Sequence, residues 1–162
     1  MGSGGSPISG PPSTTTSPRP SSPRSRSWPG ELPPGDAVAE YEIASAHDSI
    51  GNEAEAAVHY RRAFEAGLAG TRRREGTIQY ASTLRNLGRA EESIALLTTE
   101  RDAVSDDLDD AVTAFLALAL TDVGREREAV SLALGALSRH LPRYNRSLAA
   151  YAEALTQESP AD

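Results

Sequence analysis

Three glycines, Gly51, Gly88 and Gly124, separated by 37 and 36 residues, constrain this chain more than any other feature. Each follows an apolar residue (Ile50, Leu87, Val123) and precedes a polar run, as in Asn86-Leu-Gly-Arg-Ala-Glu-Glu-Ser-Ile-Ala-Leu-Leu97. A glycine there closes a helix through a left-handed residue without a Cβ penalty. The apolar residue before it is expected to pack on the turn. Small residues keep a fixed register to the glycines: Ala44, Ala81 and Ala117 before them, Ala56, Ser93 and Ala129 after. Where two helices cross at such positions, their axes approach to the near end of the usual separation of about 8–10 Å. The recurring unit is therefore a helix–turn–helix hairpin with a close crossing.

Apolar spacing predicts helices over about 37–50, 53–66, 72–87, 90–101, 108–123, 126–139 and 142–157, and no segment alternates with period two. The chain reads as all-α. Asp36, after Pro33-Pro34-Gly35, is the expected N-cap of the first helix. Ser105, ahead of Asp106, Asp107, Asp109 and Asp110, is the expected N-cap of the fifth. That acidic run lacks the glycine and the distal glutamate of a calcium loop.

Residues 1–33 are mostly Gly, Pro, Ser, Thr and Arg, and read as a disordered tail, a passive linker or an over-long start. Its PxxP match at Pro20-Ser-Ser-Pro23 is nearly inevitable in so proline-rich a stretch, and Trp28 is its one residue expected to touch the folded part. The folded part is expected over 36–157. Residues 1–30 carry Arg19, Arg24 and Arg26 and no acid, leaving the rest with 13 of the 16 basic and all 23 acidic residues. A body that acidic is expected to be repelled by nucleic acid and anionic lipid. Every basic residue is Arg, which excludes a phosphate loop ending in Gly-Lys and any Schiff-base lysine. There is no Cys, so thiolate and zinc-thiolate chemistry are excluded as well. No apolar leader and no stretch approaching eighteen apolar residues occurs, so the expected location is the cytoplasm.

Counted from Ala37, Arg74 and Asp110, the pattern resembles the tetratricopeptide repeat. The family's Leu-Gly pair falls on Ile43-Ala44, Tyr80-Ala81 and Leu116-Ala117, and its tyrosine on His47, Leu84 and Leu120. Its alanine at twenty falls on Ala56, Ser93 and Ala129, and its aromatic at twenty-four on Tyr60, Leu97 and Ala133. The small residue at twenty-seven is Ala63 and Ala136, but Glu100 in the middle repeat. The signature tryptophan and the terminal proline are missing. With the closing segment Arg143–Leu155, the chain is similar to the group 5 tetratricopeptide proteins of bacteria. The resemblance implies a right-handed helical-hairpin solenoid of three repeats, about 37–70, 74–107 and 110–141. A capping helix over about 142–157 would close it, its apolar stripe being Tyr144, Leu148, Tyr151 and Leu155.

The resemblance also implies a non-catalytic protein–protein interaction module. Its groove would be lined by Val38, Tyr41, Glu42, Ser45 and Asp48, then by Glu75, Ile78, Gln79, Ser82, Arg85 and Asn86, then by Ala111, Ala114, Phe115, Leu118 and Thr121. This surface grades from acidic to apolar and suits an amphipathic segment with a basic end, with Tyr41 and Phe115 as anchors. The alternative for Phe115 and Leu118 is a place in the core. The alternative function is a self-associating structural scaffold, and the chain is expected to be a monomer or weak homo-oligomer with an unknown protein or peptide partner. No catalytic triad, nucleophile elbow or dinucleotide loop is present. No enzyme activity, cofactor or metal is expected: His47, His59 and His140 have no further ligand at suitable spacing. Arg72-Arg73-Arg74 at a helix start opposes the helix dipole, so neighbouring acids such as Glu75, or a carboxylate on the adjacent hairpin, are expected to compensate it, the alternative being contact with an acidic partner.

Overall fold

Asp36 opens the first helix as its side chain predicts, one carboxylate oxygen accepting from the amides of Val38 at 2.9 Å and Ala39 at 3.1 Å. The computed structural model describes residues 33–103 and 105–157. Seven helices follow in chain order: α1 (Ala37–Ser49), α2 (Glu53–Glu65), α3 (Gly70–Asn86), α4 (Ala90–Ala103), α5 (Asp109–Thr121), α6 (Glu126–Ser138) and α7 (Asn145–Gln157). Among the described residues there is no strand. The proline-rich tail, with Trp28 and the PxxP match, lies outside the described residues.

Gly51, Gly88 and Gly124 take φ of 74°, 73° and 75°, the left-handed region the sequence requires of them. The residue after each, Asn52, Arg89 or Arg125, donates its amide to the carbonyl of His47, Leu84 or Leu120, at 2.9 Å in all three. The six small crossing residues are all buried, from 0% exposed at Ala44, Ala56 and Ala81 to 7% at Ala117. Two of the three residues before the glycines differ from expectation, while Val123 is half-buried. Ile50 is 77% exposed and Leu87 38% exposed, because the turn carries the side chain off the end of the hairpin instead of onto it.

Two helix starts also differ. α3 begins at Gly70, two residues early, which places Arg72 to Arg74 inside its first turns. Ser105 is not the cap of α5: its hydroxyl donates to Asp109 Oδ2 at 2.6 Å, and Asp106 Oδ1 accepts from the amide of Leu108 at 2.8 Å.

Within each hairpin α1 packs on α2, α3 on α4 and α5 on α6, and α2 on α3 and α4 on α5 join successive hairpins. The first helices also touch each other, α1 with α3 and α3 with α5, whereas α2, α4 and α6 make no mutual contact. Close first helices and splayed second helices give an all-α repeat array, with α1, α3 and α5 lining the concave side. Its buried residues form two clusters, one with Tyr41, Tyr60 and Leu68 around the first hairpin and one with Ile78, Leu97, Val112 and Leu116 around the others. Tyr60 and Leu97 are fully buried at equivalent positions, each worth about 1.5–3 kcal/mol by transfer from water.

α7 departs from the expected cap. It packs on α6 alone and does not reach α5. Tyr144, with φ of 65°, precedes its first residue and offers its carbonyl to the amide of Leu148 at 2.9 Å. The expected stripe splits: Tyr144 and Tyr151 are 79% and 71% exposed, while Ala152 is buried and Leu148 and Leu155 are half-buried. The reason lies in the surface opposite. Ser131, Gly135 and Ala136 of α6 line a cleft with Ala149 and Ala152 of α7, so small residues, and not the two tyrosines, are the ones turned toward α6.

Candidate functional site

On the concave side, side chains one repeat apart find each other because each helix repeats its predecessor's face at the glycine period. Tyr41 donates its hydroxyl to Glu75 Oε2 at 3.5 Å, and Ser45 donates to Gln79 Oε1 at 3.3 Å. Thr83 donates to Asp48 Oδ1 at 3.2 Å or to the Gln79 carbonyl oxygen at 3.0 Å. Tyr60, reaching through from α2, donates to Gln79 Oε1 at 3.2 Å or to Asp48 Oδ2 at 3.4 Å. Asp48, Tyr60, Gln79, Ser45 and Thr83 thus form a polar ladder that fixes α1 against α3. Burial raises the hydroxyl pKa of Tyr60 and Tyr41 above the usual tyrosine value, so both stay neutral donors in ordinary buffers.

Each residue expected in the groove has a definite place. Tyr41 is buried, its ring packed against Gly76 and tilted on Tyr60. Ile78 is buried in the core, and Phe115 is half-buried against it. Val38, Glu42, Ser45, Asp48, Glu75, Gln79, Ser82, Arg85 and Ala111 are half-buried along the concave side. Asn86, Ala114, Leu118 and Thr121 are exposed. Glu42 lies 3.6 Å from Arg72, and Arg85 Nε lies 2.5 Å from Asp122 Oδ2. With its guanidinium on Asp122, Arg85 is not free to clamp a terminal carboxylate. Thr83 and Tyr60 have no place in a list of groove positions drawn from the first helices. Only the coincidence of a buried hydroxyl with a polar residue one repeat away could have revealed them.

The arginine triplet is absorbed by carboxylates, as its position demands. Arg73 Nη1 lies 2.6 Å from Glu100 Oε2, and Arg74 meets Glu100 at 3.2 Å, Asp106 at 2.7 Å and Asp109 at 2.6 Å. His59 Nδ1 lies 2.6 Å from Glu40 Oε2, and its ring stacks on His47 with centroids 5.6 Å apart. His140 Nε2 lies 2.6 Å from Asp110 Oδ2 beside Arg139, and these two hold the Asp110 carboxyl below the usual range. Among the described residues no group of three or more His, Asp or Glu side chains is placed to hold a metal ion. Nor is any described helix long and apolar enough to cross a membrane.

Against known families, the group 5 model described as the tetratrico peptide repeat matches residues 37–155, most of the chain and all seven helices but their last two residues. No curated protein and no solved structure matches the chain.

Proposed function

Because the chain belongs to the tetratricopeptide repeat family, whose repeats serve protein–protein interaction, we propose that it binds a peptide segment of a partner along the concave face. The observation that carries this reading is the polar ladder between α1 and α3. Ser45–Gln79, Tyr60–Gln79 and Thr83–Asp48 hold the two groove helices in one relative position before any ligand arrives. A preformed groove spares the ordering cost of binding, and that cost otherwise consumes much of the affinity of a short segment.

Ser82 and Asn86 supply polar contacts in the middle of this groove, and Phe115 and Leu118 supply its apolar end. Glu42, Asp48 and Glu75 make the other end acidic. The segment that fits is amphipathic, basic where it meets the first repeat and apolar where it meets the third. Tyr41 supports the groove floor from beneath, since its ring is buried. The polar end of the site is built from hydrogen-bonding groups, and the family consists generally of non-catalytic scaffolds.

Selection of peptides from a random display library on the full chain tests the proposal. Enriched peptides should carry Arg or Lys near one end and two or more large apolar residues near the other. Ser82→Arg and Phe115→Ala should each weaken a selected peptide about ten-fold or more, while Arg61→Glu on the outer face should leave it unchanged. Failure to enrich any common pattern, or undiminished binding by folded Ser82→Arg, rules the groove out.

A further inference from the structure

At the C-terminal edge of the array, the stacking face of the third hairpin is not covered by any described helix. Inside the chain this face is always closed by the next hairpin. Tyr60 of α2 and Leu97 of α4, one glycine period apart, are both fully buried there, and Phe64 packs on Tyr80 of the following repeat with ring centroids 6.0 Å apart. The equivalent of Tyr60 and Leu97 on α6 is Ala133, and it is exposed. Val130 and Leu137 flank it at 46% and 49% exposed, and Leu118 of α5 is 45% exposed. α7 would close this face if it continued the solenoid, but it lies along the Ser131–Gly135 side of α6, away from Val130 and Ala133, and does not reach α5.

We infer that this edge is a homodimer interface, in which the α5–α6 face of one copy pairs with the same face of a second copy about a two-fold axis. Three observations choose that occupant. The face continues the internal repeat-stacking interface, so its geometry already suits a pair of helices. Its centre is a recess of about 380 Å³ lined by Ala114, Ala117, Leu118, Thr121, Ala129, Val130 and Ala133, without one charged group. Two copies of a chain of net charge −7 can therefore meet here without burying like charges. The projecting Leu118 and Val130 around an alanine floor also supply both the knobs and the hole that a self-complementary contact needs.

The other edge of the array disfavours a head-to-tail chain of copies. There Glu40 pairs with His59, His47 stacks on His59, and Asn52 Nδ2 lies 3.1 Å from His47 Nδ1. Among the described residues, these paired polar groups make that edge a poor match for the bare apolar third hairpin. Like faces like, and the assembly closes at two. The contact uses α6, which takes no part in the peptide groove; Ala114, Leu118 and Thr121 of α5 border both.

Sedimentation equilibrium on the full chain decides the matter. The wild type should approach twice its 17.1 kDa at tens of micromolar. Val130→Glu and, separately, Leu137→Arg should weaken dimerisation by about a hundred-fold, because each sets like charges against each other across the axis. Both should keep the helical circular dichroism of the wild type, since these side chains are half-exposed. Tyr151→Glu on the exposed side of α7 should leave the dimer intact. A wild type that stays at 17.1 kDa up to several hundred micromolar overturns the inference and leaves the face to a foreign helix. A dimer that survives Val130→Glu, or dissociates only with Tyr151→Glu, overturns it equally. Peptide binding by the Val130→Glu monomer keeps this outcome separate from the fate of the groove.

Discussion

Arg74 and Glu100 are buried together where the second repeat meets the third, each side chain 3% exposed. Arg74 Nη1 lies 3.2 Å from both Glu100 Oε1 and the Glu100 carbonyl oxygen. Two departures from the repeat pattern meet here. Position twenty-seven of the middle repeat, small elsewhere, carries a carboxylate, and the first position of the same repeat carries the cation that neutralises it. Arg74 then turns its remaining donors to Asp106 and Asp109, tying the loop before α5 to the start of α3.

Removing one member of that pair should cost far more than removing both. Glu100→Ala leaves a buried guanidinium with only its two half-exposed aspartates, and should lower stability by about 3 kcal/mol. The double substitution Glu100→Ala with Arg74→Met should recover most of that loss, because an apolar pair needs no desolvation. Urea unfolding of the four proteins of the cycle measures both. A double variant less stable than Glu100→Ala would show that Arg74 serves the loop aspartates first.

Two helical glycines should respond in opposite directions to the same change. A Cβ on Gly135 of α6 would meet nothing within 4 Å, so Gly135→Ala should stabilise the fold by about 0.5–1 kcal/mol through backbone entropy. A Cβ on Gly76 of α3 would come within 3.3 Å of the Tyr41 ring and of Leu68, both buried. Tyr41 is buried against Tyr60, so shifting its ring disturbs that packing, and Gly76→Ala should forfeit the gain and destabilise by about 1 kcal/mol. Thermal unfolding of the two variants beside the wild type is the check.

The hairpins and their crossings were readable from the sequence because each depends on residues that act within one turn of their neighbours. A left-handed glycine and two small residues at fixed offsets specify a close hairpin whatever surrounds it, and all six small residues are buried. α7 was misread for the opposite reason. Its Tyr–Leu–Tyr–Leu stripe is a sound local pattern, yet the face it turns inward depends on where α7 meets α6, which no local pattern encodes. The arginine triplet lies between these cases. Its need for carboxylates followed from the helix dipole, but that Glu100 and Asp109 would supply them followed only from the stacking of repeats. Groove membership by position was likewise incomplete, since position five of the first repeat is the buried Tyr41, whereas a residue of α2, Tyr60, joins the ladder.

Acid should loosen the third hairpin first. The Ser105 hydroxyl, the Asp106 amide and Arg74 hold the Asp109 carboxyl below the usual aspartate range, and His140 with Arg139 do the same for Asp110. A carboxyl with a lower pKa folded than unfolded stabilises the fold fully above its unfolded value, near about pH 4, and that stability is lost as pH falls through the lower folded value. Urea midpoints at pH 7, 4 and 2.5 should therefore drop steeply over the last step. Asp109→Asn should be weaker than wild type at pH 7 and should converge on it at pH 2.5. A constant difference across the three pH values would contradict the linkage.

Tyr60→Phe isolates the ladder from the packing beneath it. The ring of Tyr60 is fully buried, and its hydroxyl stands 3.2 Å from Gln79 Oε1 and 3.4 Å from Asp48 Oδ2. One hydroxyl proton serves one acceptor at a time, so the substitution removes a single shared hydrogen bond and leaves the ring in place. Gln79 keeps Ser45, and Asp48, half-buried, keeps Thr83 within reach at 3.2 Å, a hydroxyl it shares with the Gln79 carbonyl. The expected loss is about 1–1.5 kcal/mol, against about 3–5 kcal/mol for Tyr60→Ala, which also empties the core. The position of the loss matters more than its size. Hydrogen exchange should quicken along α1, whose hold on α3 depends on the ladder, and stay unchanged along α5, which is held to α3 by core packing. Uniform quickening along all three helices would mean that the hydroxyl stabilises the fold as a whole and that the groove is not fixed by the ladder.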